Sequence, residues 1–192
     1  MVTGAVLAGG RSIRFGKNKA LEMLDGKRFI ERAVESLRPF CDPVMVVVNE
    51  ISPYMDLGFT LVQDVMPRQG PLGGIYTALM FSIDEWVFVK ATDMPFCVSG
   101  LGSFMVGQRE GYDIVVPRVG EYYEPLFALY NRRCAPHISR QLAKPGERKI
   151  TEFFKHARVR SIREEEWRKV DPDGLSFKNV NTPEDLANLR WT

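Results

Sequence analysis

A glycine-rich, cationic segment near the start of the chain has the composition of a phosphate-binding loop. The short apolar run at residues 2–7 ends at Gly9 and Gly10, as a buried strand that leaves the core would. Glycines allow successive backbone N–H groups to point at phosphate oxygens, and nearby cations neutralise the phosphate charge. The cations that follow are Arg11, Arg14, Lys17 and Lys19. The segment therefore predicts a polyphosphate site.

Two common phosphate loops do not match this segment. A Walker A loop needs four residues between its glycines and then Lys with Ser or Thr, whereas Gly10 and Gly16 enclose a longer stretch and Lys17 precedes Asn18. The dinucleotide pattern G-x-G-x-x-G is absent because Gly9 is followed directly by Gly10. A glycine turn with solvated cations is the alternative interpretation.

The apolar pattern predicts the elements that must position this loop. Strand-like runs at 2–7, 44–48, 59–62 and 86–91 alternate with helical patterns at 29–37 and 73–81. Such alternation is typical of a mostly parallel sheet covered by helices, so we expect a three-layer, Rossmann-like α/β fold. Ligands of such sheets bind beyond the carboxyl ends of the strands. This rule brings Asn49, Asp64 and Asp93 to the same edge as the loop.

Asp93 is the candidate metal ligand. It follows the apolar run at 86–91 and precedes Met94 and Pro95. Mg²⁺ commonly uses one or two carboxylates together with substrate phosphates and water, so one well-placed Asp suffices. The alternative is a strand-end Asp that makes a local turn.

A second glycine-rich segment begins with Asp64 and continues through Gly70, Pro71, Gly73 and Gly74. The Asp64 carboxylate could accept hydrogen bonds from nucleotide N–H or hydroxyl groups, and a helix N-terminus offers free backbone donors. Ordinary helix capping explains the glycines and the proline equally well.

Composition limits the classes of function. The 192 residues suit one α/β domain, and 26 Lys and Arg nearly balance 24 Asp and Glu, which disfavours nucleic acid as a partner. No apolar stretch is long enough to cross a membrane and no signal-peptide pattern is seen, so we expect a cytoplasmic protein. The three cysteines, Cys41, Cys97 and Cys134, are widely spaced and are expected to be free thiols.

Five segments, taken in order, resemble those of molybdenum cofactor guanylyltransferases, the molybdopterin-guanine dinucleotide synthesis protein A family. They are the N-terminal loop, DVMPRQGPLGG, ATDMPF, EPLFALY and NVNTPEDL, and together they span essentially the whole chain. The first is common to many nucleotidyltransferases, in the form L-A-G-G-x-x-x-R-x-G-x-x-K, and the last is more discriminating. The resemblance implies transfer of GMP from Mg²⁺-GTP to the terminal phosphate of molybdopterin, with release of pyrophosphate.

The resemblance also implies the site residues. GTP would contact Leu7, Ala8, Gly9, Lys19, Asn49, Asp64 and Asp93. Mg²⁺ would bind Asp93, and Lys19, Asp93 and Arg14 would be catalytic. Gly16, Asn179 and Asn181 would lie on the acceptor side. A single domain is expected over residues 1–192, with a nucleotide-binding half at 1–97 and an acceptor-binding half at 98–192. Partners implied are enzymes that deliver the cofactor or the molybdoenzymes that receive it.

Two positions depart from the family pattern. Asn18 stands where the family usually has Asp, and GPLAG has become Gly70-Pro71-Leu72-Gly73-Gly74. Cytidylyl or sugar-phosphate transfer on the same fold therefore stays open as an alternative. A nucleotide-responsive binding module without turnover is a third possibility, although both Lys19 and Asp93 are present.

Overall fold

One eight-stranded sheet forms the centre of the fold in the computed structural model, which describes residues 1–9, 18–24, 26–144 and 149–180. The strands are β1 (Thr3–Leu7), β2 (Met23–Leu24), β3 (Lys27–Arg28), β4 (Val44–Val48), β5 (Thr60–Gln63), β6 (Trp86–Ala91), β7 (Ile114–Val119), β8 (Tyr122–Tyr123), β9 (Phe127–Asn131) and β10 (Val159–Ile162). The α-helices are α1 (Phe29–Leu37), α2 (Gly70–Phe81), α3 (Ser99–Gly107), α4 (Ala135–Leu142) and α5 (Glu164–Trp167). Strands β2 and β3 form a separate two-stranded hairpin.

The sheet is mostly parallel, as the sequence predicts. Its order is β10-β7-β9-β6-β1-β4-β5, with β8 paired to β7. Strands β6, β1, β4 and β5 run parallel to one another, and so do β10 and β7. Strand β9 runs antiparallel between β6 and β7, and β8 pairs antiparallel with β7. Parallel neighbours need crossover connections, and most neighbours in the sheet are non-sequential, although β4 and β5 are consecutive strands.

Helices cover both faces and complete three layers. Successive strand residues alternate between two apolar cores, as period-two side chains in a doubly covered sheet must. Val6, Val46 and Phe88 pack with the side chains of α1 and α3. Ala5 and Val89 belong to the opposite core, together with residues of α2 and α4. The predicted three-layer α/β architecture is therefore confirmed.

The register aligns the carboxyl ends of four parallel strands. Leu7 at the end of β1 pairs with Val47 of β4 and with Ala91 of β6. Beyond the strand ends, Ala8 N donates to Val47 O at 2.9 Å and Asp64 N donates to Val48 O at 2.8 Å. The residues that follow β1, β4, β5 and β6 consequently emerge at one edge.

The three cysteines are free thiols, as predicted. Cys41 and Cys134 are buried and Cys97 is half-buried. Burial raises the pKa of the Cys97 thiol to about 11 and that of Cys134 to about 12, so neither is a reactive thiolate near neutral pH. No helix in the described ranges has the length and apolar character required to span a bilayer.

Candidate active site

A cavity of about 670 Å³ opens at the carboxyl edge of strands β6, β1, β4 and β5. Its volume lies in the range of small-molecule sites. Its lining includes all seven residues predicted to contact the nucleotide: Leu7, Ala8, Gly9, Lys19, Asn49, Asp64 and Asp93. The fold thus brings together residues that are far apart in the sequence. Arg14, Gly16 and Asn181 lie outside the described residues.

Asn49 holds the first glycine of the N-terminal loop in place. Its side-chain amide donates to the carbonyl oxygen of Gly9, and a Cβ on Gly9 would lie 3.3 Å from the Asn49 Oδ1 atom. This close approach makes a larger residue at Gly9 unfavourable. Asn49 therefore shapes the cavity wall, whatever contact it makes with a ligand.

Asn18 completes a polar network with Tyr54 beneath the same loop. The Asn18 Nδ2 atom donates to Tyr54 Oη at 2.8 Å, and Tyr54 Oη is 3.2 Å from the carbonyl oxygen of Ala8. The Asn18 Oδ1 atom also accepts from Ala20 N at 3.2 Å and so caps the short 3₁₀ helix Lys19–Leu21. An Asp could accept these bonds but could not donate one. Asn18, at the position where the family usually has Asp, can therefore donate to the hydroxyl of the buried Tyr54.

Lys19 is the cation that the described part of the chain places beside Gly9. It is half-buried at the start of the 3₁₀ helix, and its Nζ atom lies 5.9 Å from the centroid of the Phe29 ring. The ammonium group thus lies over the aromatic face at the cavity wall. This position suits contact with a polyphosphate.

Asp93 lies two residues beyond β6 on the cavity wall. Thr92 Oγ1 donates to Leu7 O at 3.2 Å and fixes this strand end against β1. Across residues 1–9, 18–24, 26–144 and 149–180, no three His, Cys, Asp or Glu side chains converge to form a protein-only metal cage. The half-buried Asp93 carboxylate on the cavity wall would suit Mg²⁺, which commonly takes its other ligands from substrate phosphates and water.

The Asp64 carboxylate accepts hydrogen bonds within the fold in addition to lining the cavity. Its Oδ1 atom accepts from Met66 N at 2.9 Å and from Thr77 Oγ1 at 2.6 Å. These bonds tie the end of β5 to Thr77 in the middle of α2, whose N-cap residue Gln69 makes no side-chain capping bond. The other carboxylate oxygen of Asp64 is not used by these bonds, so a ligand contact is compatible with them.

The segment at 178–180 is hydrogen-bonded to Asp93. Val180 N donates to the carbonyl oxygen of Asp93 at 2.9 Å, and the Val180 side chain is buried with Leu24 and Phe96. Asn179, the predicted acceptor-side residue, is exposed next to this anchor. The structure therefore brings Asn179 to the neighbourhood of Asp93.

Charged side chains of the segment at 158–169 form ion pairs with one another. Arg160 and Arg163 form ion pairs with Glu166, and Arg168 pairs with Glu164. The hydrogen bond from Arg160 is the largest cause that lowers the pKa of Glu166 to about 2. Self-paired, mixed charge of this kind is typical of a solvated face.

Sequence reasoning missed three residues at the site. Tyr54 and Arg68 follow no strand in the predicted pattern, and Arg68 lines the cavity. Glu124 lies beside Asp93: burial raises the pKa of the Glu124 carboxyl, a hydrogen bond from Leu126 N opposes this, and the Asp93 charge adds to it. An alternation signal would not find these residues because all three lie outside strands.

Comparison with known proteins identifies the family. A protein-family model described as "MobA-like NTP transferase domain" matches residues 4–160 of this chain. A molybdenum cofactor guanylyltransferase of Desulfosudis oleivorans is 41% identical over 187 residues, covering 96% of this chain and 92% of the relative. A probable molybdenum cofactor guanylyltransferase of Pelotomaculum thermopropionicum is 37% identical, covering 98% of this chain and 91% of that one.

A solved structure agrees with the sequence relatives. The crystal structure of molybdopterin-guanine dinucleotide biosynthesis protein A from Archaeoglobus fulgidus superimposes with a TM-score of 0.82. The two proteins are 32% identical, and the match covers 96% of this chain and 95% of the other. With this cavity and these relatives, the chain belongs to the MobA-like nucleotidyltransferase family, among the molybdenum cofactor guanylyltransferases.

Proposed function

We propose that this protein transfers GMP from Mg²⁺-GTP to the terminal phosphate of molybdopterin, which yields molybdopterin guanine dinucleotide and pyrophosphate. One observation carries the proposal: a single cavity joins Gly9, Lys19 and Asp93, and the segment bearing Asn179 is hydrogen-bonded to Asp93. This contact supports a donor site and an acceptor site that lie on either side of Asp93. Relatives over nearly the whole chain are named for this activity.

The chemistry requires no protein nucleophile. The acceptor is a phosphomonoester, whose oxygen is anionic at neutral pH and can attack the α-phosphorus of GTP. A new P–O bond forms, the bond from the α-phosphorus to the bridging oxygen breaks, and pyrophosphate leaves with that electron pair. The barrier comes mainly from repulsion between the two anions, so positioning and charge neutralisation provide the acceleration.

The chain's own residues divide this work. Backbone at Gly9 and the Lys19 ammonium bind the triphosphate, and Arg14 is expected to assist. Asp93 would hold Mg²⁺, which when bound neutralises phosphate charge and orients the leaving group. Asn179 and Asn181, with Gly16, would bind the acceptor side, so that the attacking oxygen reaches the α-phosphorus from the opposite side of the cavity.

The test is product analysis with purified protein. The protein is incubated with molybdopterin, Mg²⁺ and either GTP or CTP, and the products are identified by mass while pyrophosphate is measured. The proposal expects the guanine dinucleotide and stoichiometric pyrophosphate with GTP. A cytosine dinucleotide formed only with CTP would support the alternative reaction, which the names of the relatives do not favour. Nucleotide binding without either product would support a binding module.

A further inference from the structure

A second carboxylate lies beside Asp93 where the β6–β9 pair ends. The antiparallel register of these strands ends with Lys90 opposite Phe127, and Asp93 and Glu124 each lie three residues beyond that pair. Residues that face each other across an antiparallel pair lie side by side. Burial raises the pKa of the Glu124 carboxyl and the charge of Asp93 raises it further, which agrees with this proximity.

The turn at 124–126 holds Glu124 in a fixed position. Its N–H donates to Pro117 O at 2.9 Å, and its Oε1 atom accepts from Leu126 N at 3.3 Å. The hydroxyl of the buried Tyr130 donates to Pro125 O at 2.7 Å and ties the turn to β9. Leu126 lines the cavity. The Glu124 Oε2 atom is not used by these bonds, so a rigid turn holds one carboxylate oxygen for a ligand next to the cavity wall.

Within the described ranges, no Lys, Arg or His side chain forms an ion pair with Asp93 or Glu124. Both carboxylates are half-buried. Removing a charge from water costs free energy unless the charge is paired or coordinates a metal, and two neighbouring carboxylates also repel each other. A divalent cation between them would offset both costs.

We infer that Glu124 is a second carboxylate ligand of the divalent cation that Asp93 binds. This inference rests on the proposed function, which brings Mg²⁺-GTP to the cavity. Mg²⁺ commonly uses one or two carboxylates together with substrate phosphates and water, so Glu124 fits the second carboxylate position. Without the metal, the same two negative charges would repel the triphosphate. Glu124 therefore also makes nucleotide binding depend on the cation.

The experiment measures binding in the absence of acceptor, so it does not depend on turnover. GTP affinity is measured by titration calorimetry with Mg²⁺ and with EDTA, and Mn²⁺ affinity is measured by electron paramagnetic resonance. The test variant is Glu124→Gln, which has nearly the same size and keeps an oxygen that can accept from Leu126 N. The control is Glu121→Gln, which removes an exposed carboxylate from the same hairpin. Thermal unfolding verifies that each variant is folded.

Glu124→Gln should bind Mn²⁺, and GTP in the presence of Mg²⁺, about tenfold more weakly than the wild type. In EDTA it should bind GTP at least as tightly as the wild type, because one negative charge facing the triphosphate is gone. Glu121→Gln should match the wild type within twofold in all three measurements. Opposite effects of one substitution with and without metal distinguish a ligand from a residue that only supports the fold.

Unchanged affinities of Glu124→Gln for Mn²⁺ and for Mg²⁺-GTP would overturn the inference. Equal weakening of GTP binding with Mg²⁺ and with EDTA would also overturn it, because that result would show a structural role for Glu124. Either result, with normal binding of Mg²⁺-GTP by the wild type, leaves the proposed function standing. Failure of the wild type to bind GTP with Mg²⁺ would refute the proposed function and this inference with it.

Discussion

The backbone N–H of Val180 donates to the carbonyl oxygen of Asp93 at 2.9 Å, which joins the last described segment to the end of β6. Because this contact uses backbone atoms, the Asp93 carboxylate and the Asn179 amide are both left for ligands. The buried Val180 side chain, 2% exposed, anchors the segment in a small core with Leu24 and Phe29. The proposed donor and acceptor residues are thus held together by main-chain and core contacts that leave their side chains unused.

Asn179→Ala should weaken binding of the acceptor, molybdopterin, without affecting binding of GTP. Loss of one hydrogen bond to a charged phosphate lowers affinity by about tenfold. We expect the KM for molybdopterin to rise about tenfold while the KM for GTP changes less than twofold. Lys178→Ala, at the exposed neighbouring position, is the control. A parallel rise of both KM values would show that Asn179 does not serve the acceptor specifically.

Asp93→Ala should reduce turnover far more than stability. Removing one preorganised electrostatic group from a phosphoryl-transfer site lowers kcat by about 10²- to 10³-fold. The Val180 bond survives because it uses the Asp93 main chain, so the melting temperature should shift by only a few degrees. Kinetics and thermal unfolding of this variant are compared with those of Asp173→Ala, an exposed carboxylate. Near-normal GMP transfer by Asp93→Ala would refute the metal assignment.

Lys90→Met should stabilise the protein near neutral pH. Lys90 is 0% exposed, its Nζ atom donates to Ser36 Oγ, and burial lowers its pKa from 10.5 to about 8. Between those values the unfolded chain binds the proton that the folded protein releases, so this lysine's contribution to the free energy of unfolding rises from pH 8 to 10.5. At pH 7 the buried charge destabilises the fold, and the variant should gain about 2 kcal/mol.

Urea unfolding from pH 7 to 10 tests whether the contribution of Lys90 to the free energy of unfolding rises with pH. The stability difference between Lys90→Met and the wild type should shrink steadily above pH 8, because the wild-type lysine is then already neutral in the folded state. Lys155→Met controls for loss of one exposed charge. A difference that stays constant over the whole pH range would contradict a lowered pKa of Lys90.

Gly102→Ala should destabilise helix α3 despite the better helix propensity of alanine. A Cβ at Gly102 would lie 2.2 Å from the Phe40 ring, which packs edge-on against Phe88 at 5.0 Å. Overpacking of this kind costs about 1–3 kcal/mol. Gly107→Ala, at the end of the same helix, meets no atom within 4 Å and should be neutral or slightly stabilising. Equal urea midpoints for the two variants would contradict this prediction, because they would show that the Phe40 ring accommodates the added methyl group without loss of stability.

The first half of the fold follows closely from the sequence. Apolar runs of β-branched residues gave the limits of β4 and β6, and the helical pattern gave those of α1, since each is a strongly apolar segment bounded by turn residues. The antiparallel direction of β9 could not be predicted. An apolar extended run has the same pattern in either direction, and only its partners on both sides decide it.

The site was predictable where it depends on strand ends. Asn49, Asp64 and Asp93 follow parallel strands, so topology alone gathers them. Tyr54 and Arg68 were not predictable in the same way. Tyr54 reaches the loop from a 3₁₀ segment by tertiary packing, and the place of Arg68 depends on a left-handed backbone angle and on the missing Cβ of Gly73.

The most direct measurement is a crystal structure of the protein with a non-hydrolysable GTP analogue and Mn²⁺, in which anomalous scattering locates the metal. The account predicts phosphates beside Gly9 and Lys19 and manganese bound to the Asp93 carboxylate. A nucleotide bound elsewhere, or manganese bound without contact to Asp93, would contradict it.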